Sequence, residues 1–390
     1  MKFLMYGAGS IGRGFIGPLF VHAGYEVVFV DINQGVIHAL NSRGSYHYTI
    51  TAGPHIDIQV NGVRCIDGRD REAVLKEIAS CDLMATSLGG DVLKKVVPII
   101  AEGFSLRMKL SGRPLNILIC ENLKNAAILL GEWMVECLHH EDRLLLSEKC
   151  GLIEAAIGRM VPQTASDADD PLYVTVEEYC FLPVDKDAFV GELPKVEGLV
   201  PYSPFSFYEE RKLYLHNMGH AICAYMGMRH GYETIAEAIQ DFTVRFFVQS
   251  AMIESSAMLS AKYGISFNKI FDHAEDLLLR FGNTALGDTC ERVGRDPMRK
   301  LKAGDRLAGA LTQCSQMGVL PIYIALGYGV ALRNITDDAS EAANIAREIG
   351  GLPEDLARIV DKMFLATNHP AQEFLQITER MKKELRGDIV

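Results

Sequence analysis

The chain has 390 residues, 48% of them hydrophobic and 23% charged, an ordinary globular composition with length enough for two packed domains. A formal net charge of -11 excludes a broad basic field for holding a nucleic-acid backbone or an anionic membrane, so an anionic substrate would have to be met by a local basic cluster. Nine cysteines scattered singly, with no C-x-x-C pair, argue against a zinc knuckle or a disulfide framework and suit a reducing cytosol.

In chain order, residues 2–6 (KFLMY) and 26–31 (EVVFVD) read as short buried strands. IGRGFIGPLFVHAGY between them reads as a helix entered through glycines and ended near Gly24, which makes a β-α-β unit. Apolar runs at 83–89 (LMATSLG), 115–122 (LNILICEN) and 144–151 (LLLSEKCG) are the next strand candidates, with helical stretches between them. The fold class expected is α/β, a Rossmann-type doubly wound parallel sheet. An acidic loop opening at 167 leads into β-rich sequence up to 185, and from about 205 helical periodicity takes over. We therefore expect a Rossmann domain over residues 1–190 and a mainly α-helical substrate domain over 191–390. ETIAEAIQDFTVRFFVQSAMIESSAMLSAKYG reads as a long helical region whose apolar spacing serves core packing. The opening run breaks at Gly7 without a signal-peptide core, and no stretch of about 18 apolar residues occurs. The expectation is a soluble cytoplasmic protein, a monomer or weak homo-oligomer, with a small-molecule substrate and no nucleic-acid or membrane partner.

Gly7-Ala8-Gly9-Ser10-Ile11-Gly12 is a G-x-G-x-x-G match, weak alone but placed directly after a predicted strand and at the opening of a predicted helix. Glycines there permit a tight turn, close approach of the backbone to a pyrophosphate and close helix-to-strand packing. Asp31 ends the second strand, where its carboxylate would accept from the adenosine ribose hydroxyls and repel a 2′-phosphate; the expected cofactor is NAD rather than NADP. Ile32 and Asn33 supply no arginine to favour NADP. Ser87, with Leu88-Gly89-Gly90 after it, is a candidate second backbone contact to the cofactor.

ERKLYLHNMGH, residues 210–220, carries Lys212, Asn217 and His220, which on an α-helix fall at about 0°, 140° and 80°, one broad face. A solvated lysine on a polar helix face gives the same spacing. The chemistry favours more. Oxidising an alcohol with NAD needs a base for the hydroxyl proton and a donor for the oxygen as charge develops. Lysine serves as the base if burial and neighbouring cations favour its neutral form. An asparagine amide donates to the oxygen, and a histidine three residues on can hold an adjacent hydroxyl; no zinc is required.

Glu210-Arg211-Lys212-Leu213 through Asn217, Gly219, His220 and Ala221 resembles the signature of the polyol-specific long-chain dehydrogenases, the mannitol dehydrogenase family, and within it the branch acting on mannitol 1-phosphate. The resemblance runs nearly end to end, including Gly7 through Gly17 and ERVGRDPMRKLKAGDRL at 291–307. It implies a zinc-independent NAD enzyme with Lys212 as general base, Asn217 in an oxyanion pocket and His220 positioning substrate. It also implies a second pocket asparagine, Asn122 of Cys120-Glu121-Asn122, facing Asn217 across the reacting oxygen. Glu209 would be a proton exit, with Glu210 a neighbour easily confused with it.

Arg292, Arg295, Arg299 and Lys300 place four cations in nine residues of an acidic chain, a candidate anion site, or else a solvated cluster paired with Glu291, Asp296 and Asp305. Arginine forks suit phosphate, which points to Arg295 and Arg299; by resemblance, Arg292 and Lys300 also occur where the substrate is unphosphorylated. The family pattern V-D-R-x-x-P is replaced by Ile157-Gly158-Arg159-Met160-Val161-Pro162, with glycine where an aspartate is expected and Glu154, read as one helical turn earlier, as a stand-in. The leading expectation is reversible oxidation of D-mannitol 1-phosphate to D-fructose 6-phosphate. The alternatives are a hexuronate reductase or unphosphorylated polyol dehydrogenase of the same superfamily, and an NAD-binding regulatory protein with a disabled pocket, which Gly158 motivates.

Overall fold

Apolar side chains line both faces of the first strand: Phe3 and Met5 enter one core and Leu4 and Tyr6 the other. That two-sided burial is what a parallel sheet covered by helices demands. The computed structural model describes residues 1–51, 56–161 and 170–387. Pro162 and residues 167–169, which the sequence placed in the pocket-side pattern and the acidic loop, lie outside the described residues.

The strands are β1 (Lys2–Tyr6), β2 (Glu26–Asp31), β3 (Ser45–Ile50), β4 (Ile56–Asn61), β5 (Val63–Asp67), β6 (Leu83–Thr86), β7 (Leu115–Ile119), β8 (Cys150–Glu154), β9 (Val174–Val176), β10 (Leu182–Asp185) and β11 (Leu199–Tyr202). Six form one sheet in the order β5-β2-β1-β6-β7-β8, every neighbouring pair parallel. Chain order reverses between β1 and β6, which makes their carboxyl ends the topological switch point where such sheets bind ligands. β3 pairs antiparallel with β4 and parallel with β9, and β10 pairs parallel with β11.

The expected strand at 144–151 is corrected. Residues His140–Lys149 are helical and the strand begins at Cys150. Asp142, Leu146 and Cys150 are buried while Leu144 is exposed, a four-residue recurrence that belongs to a helix face, and a run of three leucines is too short to show it. Strands β3, β4 and β5 were not read from the sequence.

The chain divides into two compact units, Met1–Ser206 and Phe207–Val390. The named secondary-structure elements of the second, among its described residues, are all helices. Its long helical stretch is broken in two: Ile235–Gln240 ends at Asp241, whose side chain accepts from Val244 N–H and starts Phe242–Tyr263. Helix Ile322–Arg333 is buried from Ile322 to Leu332. Glu254 of Phe242–Tyr263 accepts from the N–H groups of Tyr323 and Ile324 at 2.9 and 3.0 Å, satisfying that helix's N-terminal donors from a neighbouring helix. Among the described residues no helix is long and apolar enough to cross a membrane.

Candidate active site

In the first unit, the glycine loop, Asp31 and Ser87 converge at the switch point. Gly7 has φ +109°, and a Cβ there would meet the Ser87 carbonyl oxygen at 2.4 Å; one on Gly12 would meet the Gly7 carbonyl oxygen at 2.2 Å. One on Gly9 would meet nothing within 4 Å. Gly7 and Gly12 are thus needed for the turn and the helix contact, while Gly9 leaves its backbone open to a ligand, the division of labour that a pyrophosphate cradle requires. Asp31 Oδ2 accepts from Ala8 N–H at 2.8 Å, and Oδ1 accepts from Ile32 and Asn33 N–H at 2.8 and 2.9 Å. The carboxylate is therefore fixed at the mouth of the loop with acceptor capacity left for a ribose. Ser10 and Ile11 enter the π-helical turn Gly12–Ile16. Arg13, buried in that turn, donates to the Ala8 carbonyl and braces the loop from below.

The loop after β6 is differently used from what its sequence suggests. Ser87 N–H donates to the Tyr6 carbonyl, and Glu121 accepts from Leu88 N–H at 2.9 Å and Gly89 N–H at 2.7 Å. With those three backbone donors engaged, the candidate group here is the Ser87 hydroxyl. Asn122, next to Glu121, is exposed just beyond the carboxyl end of β7. Glu154 is corrected as a stand-in for the missing aspartate. It ends strand β8 rather than preceding Gly158 by a helical turn, and it accepts from Ala127 N–H at 2.8 Å at the start of helix Ala126–Cys137. Arg159 is buried, donating to the Glu177 and Gly14 carbonyls.

In the second unit, Lys212 and Asn217 lie on a π-helical turn, Arg211–Asn217, that runs into helix Met218–His230 carrying His220. The α-helical spacing that would have set Lys212 and Asn217 about 140° apart is corrected by this wider turn, whose i→i+5 hydrogen bonds bring residues five apart back toward one side. All three are half-buried. Glu209 and Glu210 close the preceding helix, Ser206–Glu210, and Glu210 is bound to Lys262 Nζ at 2.7 Å.

His220 stacks on Phe281, centroids 4.8 Å apart and planes 17° from parallel, and its Nε2 lies 3.5 Å from Asp288 Oδ2. Burial first, then the charges of Arg292, Arg306, Lys300 and Arg280, push its pKa down to about 3, so the ring is neutral. His216, buried beside the stacked pair of His220 and Phe281, is held well below the usual range for the same first reason.

The four cations of 292–300 part company. Arg292 pairs with Asp288. Arg299 pairs with Asp296 at 3.0 Å and approaches Asp305 at 3.9 Å. Lys300 is buried, donates to the Arg295 carbonyl, and is lowered to about 8 by burial and by Arg306 and Arg299. Arg295 is exposed and, among the described residues, its guanidinium meets no carboxylate.

A model of the mannitol dehydrogenase Rossmann domain matches residues 1–198, and one of the mannitol dehydrogenase C-terminal domain matches 205–386. The chain belongs to the mannitol dehydrogenase family. Among solved structures it is similar to a D-sorbitol dehydrogenase in substrate-free form, with TM-score 0.79 and 15% identity over 95% of this chain and 93% of that one. It is also similar to Pseudomonas fluorescens mannitol 2-dehydrogenase, solved as a ternary complex with NAD and D-mannitol, with TM-score 0.73 and 13% identity over 98% and 94%. At these identities the likeness is one of fold. As a mannitol dehydrogenase family member, the chain is a polyol oxidoreductase by class. Spacing did not single out His216, Asp288 or Arg306 in its polar cluster. Only Asp288 left a signal, an acid four residues before Arg292 at the start of a helix.

Proposed function

We propose that the chain catalyses the reversible NAD-dependent oxidation of D-mannitol 1-phosphate to D-fructose 6-phosphate without zinc. The observation that carries the reading is Lys212, Asn217 and His220 on the π-turn and helix of the second unit, in a chain of the mannitol dehydrogenase family. When bound, NAD supplies the hydride acceptor. Lys212 takes the hydroxyl proton during oxidation and returns it to the oxygen during reduction, and Glu209 passes it toward solvent. Asn217 donates to the oxygen as charge develops, the role the family resemblance also gives Asn122. His220, neutral, holds an adjacent hydroxyl. Gly7, Ala8, Gly9, Ser10, Ile11 and Gly12 cradle the pyrophosphate, Asp31 binds the ribose and Ser87 contributes its hydroxyl. Arg295 and Arg299 grip the phosphate, with Arg292 and Lys300 beside them.

A second reading, an unphosphorylated polyol, is favoured by one observation: Asp288 and Asp296 already engage Arg292 and Arg299. NADH oxidation with fructose 6-phosphate, free fructose and keto-acids separates the two, repeated with Lys212→Ala. The expected result is preference for the phosphate and a loss of about 10²- to 10⁴-fold in kcat for the variant. Equal rates with free fructose overturn the phosphate assignment, and undiminished turnover by Lys212→Ala overturns the base.

A further inference from the structure

Asp288 stands between two basic groups of the second unit. Its Oδ2 lies 3.5 Å from His220 Nε2, and its Oδ1 pairs with Arg292. The backbone that carries it is fixed. The Asp288 carbonyl accepts from Ile235 N–H at 2.9 Å, Cys290 N–H donates to the Glu233 carbonyl at 2.8 Å, and Thr289 bridges antiparallel to Thr234. The His220 ring plane is set independently by its stack on Phe281. Both partners are therefore held in place by groups other than each other, as a preorganised supporting shell requires.

A neutral imidazole has one N–H and one lone pair, and a carboxylate only accepts. Nε2 lies 3.5 Å from Oδ2, longer than a normal N–H···O bond, and at that range the carboxylate's charge favours the tautomer with the proton on the nitrogen that faces it. We propose that Asp288 is a positioning residue that fixes His220 as its Nε2–H tautomer. Nδ1 is thereby left as a lone pair for substrate, which selects molecules bearing a hydroxyl beside the reacting carbon over those bearing a carboxylate or carbonyl there. The selection clause rests on the proposed catalytic role of the Lys212 set; the tautomer does not. Arg292, with its charge already met by Oδ1, holds the Asp288 carboxylate with Oδ2 toward the ring, so the arginine acts on His220 through the carboxylate.

The test uses the full-length protein with ring-¹⁵N-labelled histidine and no substrate, the His220 signals being assigned by their absence in His220→Gln. The expected spectrum is that of a neutral ring protonated at Nε2. In Asp288→Asn, whose amide can offer an N–H to Nε2, the population moves toward Nδ1–H, and Asp288→Glu retains the wild-type pattern. A wild-type ring protonated at Nδ1, or a tautomer indifferent to Asp288→Asn, overturns the proposal. In kinetics, Asp288→Asn raises KM for the ketose by about tenfold with KM for NADH unchanged, the scale on which supporting-shell hydrogen bonds act. Parallel loss against both substrates would mark a structural role and sink it. If the wild-type protein turns over no ketose, the functional reading and the selection clause fail, while the spectrum still decides the tautomer.

Discussion

Tyr179 fills the space that a side chain at Gly158 would need: an added Cβ would meet the Tyr179 ring at Cε1, 3.0 Å away. The glycine that departs from the family's aspartate is thus matched by an aromatic ring packed over it. Gly158→Asp should displace that ring and destabilise the fold by about 1–3 kcal/mol, the usual range for overpacking. Tyr179→Ala should relieve most of the loss when combined with it. Urea unfolding of the two single variants and the double variant measures the coupling, and strictly additive effects would refute the contact.

Asp31 should set the cofactor preference. Asp31→Asn removes the charge that repels a 2′-phosphate and weakens a charged hydrogen bond worth about 1.5–3 kcal/mol, so NAD-over-NADP discrimination should fall roughly ten- to a hundredfold. The sequence near Asp31 offers no arginine, but the fold brings one: Arg69 Nη2 lies 3.3 Å from the Ile32 carbonyl and is clamped by Asp67. Adding Asp67→Asn should release it and raise NADPH affinity further. Fluorescence titration with NADH and NADPH reads both steps; unchanged NADPH affinity in the double variant would exclude Arg69.

Glu254 should make stability depend on pH. Burial raises its pKa to about 8, opposed by the N–H donors of Tyr323 and Ile324. A carboxyl raised above its unfolded value binds its proton more tightly when folded. Its contribution is fully present below the ordinary carboxylate range and is lost as pH rises through about 8. Wild-type protein should therefore unfold at lower urea at about pH 9 than at about pH 5, and Glu254→Gln should flatten that difference. Equal slopes for both proteins would mean that another group carries the dependence.

Arg295 and Arg299 should differ as phosphate ligands. Arg295 meets no carboxylate among the described residues, whereas Arg299 is held by Asp296. Arg295→Ala should raise KM for fructose 6-phosphate by about ten- to a hundredfold, the value of a charge-assisted hydrogen bond of about 1.5–3 kcal/mol, and leave free fructose unaffected. Arg299→Ala should do less. The comparison of KM for the two sugars decides it, and equal effects on both would remove the phosphate role.

Much of this was legible in the residues. Gly7, Gly9 and Gly12 fall at a fixed short spacing between a strand and a helix, and such a spacing is written in adjacent residues; the same holds for KFLMY and EVVFVD, whose apolar continuity suits a strand buried on both faces. Lys212, Asn217 and His220 could be grouped because one helical segment carries them. Leu144–Leu146 misled because three apolar residues fit a strand and a helix equally, and burial of Asp142, Leu146 and Cys150 settles that only after packing.

The sequence by itself determined the glycine cradle with Asp31, the change from sheet to helix and the chemical identity of the Lys212 set, since each follows from short-range spacing and side-chain type. Tertiary structure decided which groups each of them meets. It gave Glu121 to the Leu88 and Gly89 amides, Asp288 to His220 and Arg292, and Tyr179 to the space at Gly158. It also widened the turn between Lys212 and Asn217. Those pairings join residues distant in the chain, and which acid meets which cation is set by how helices and strands pack, a choice that no local period encodes.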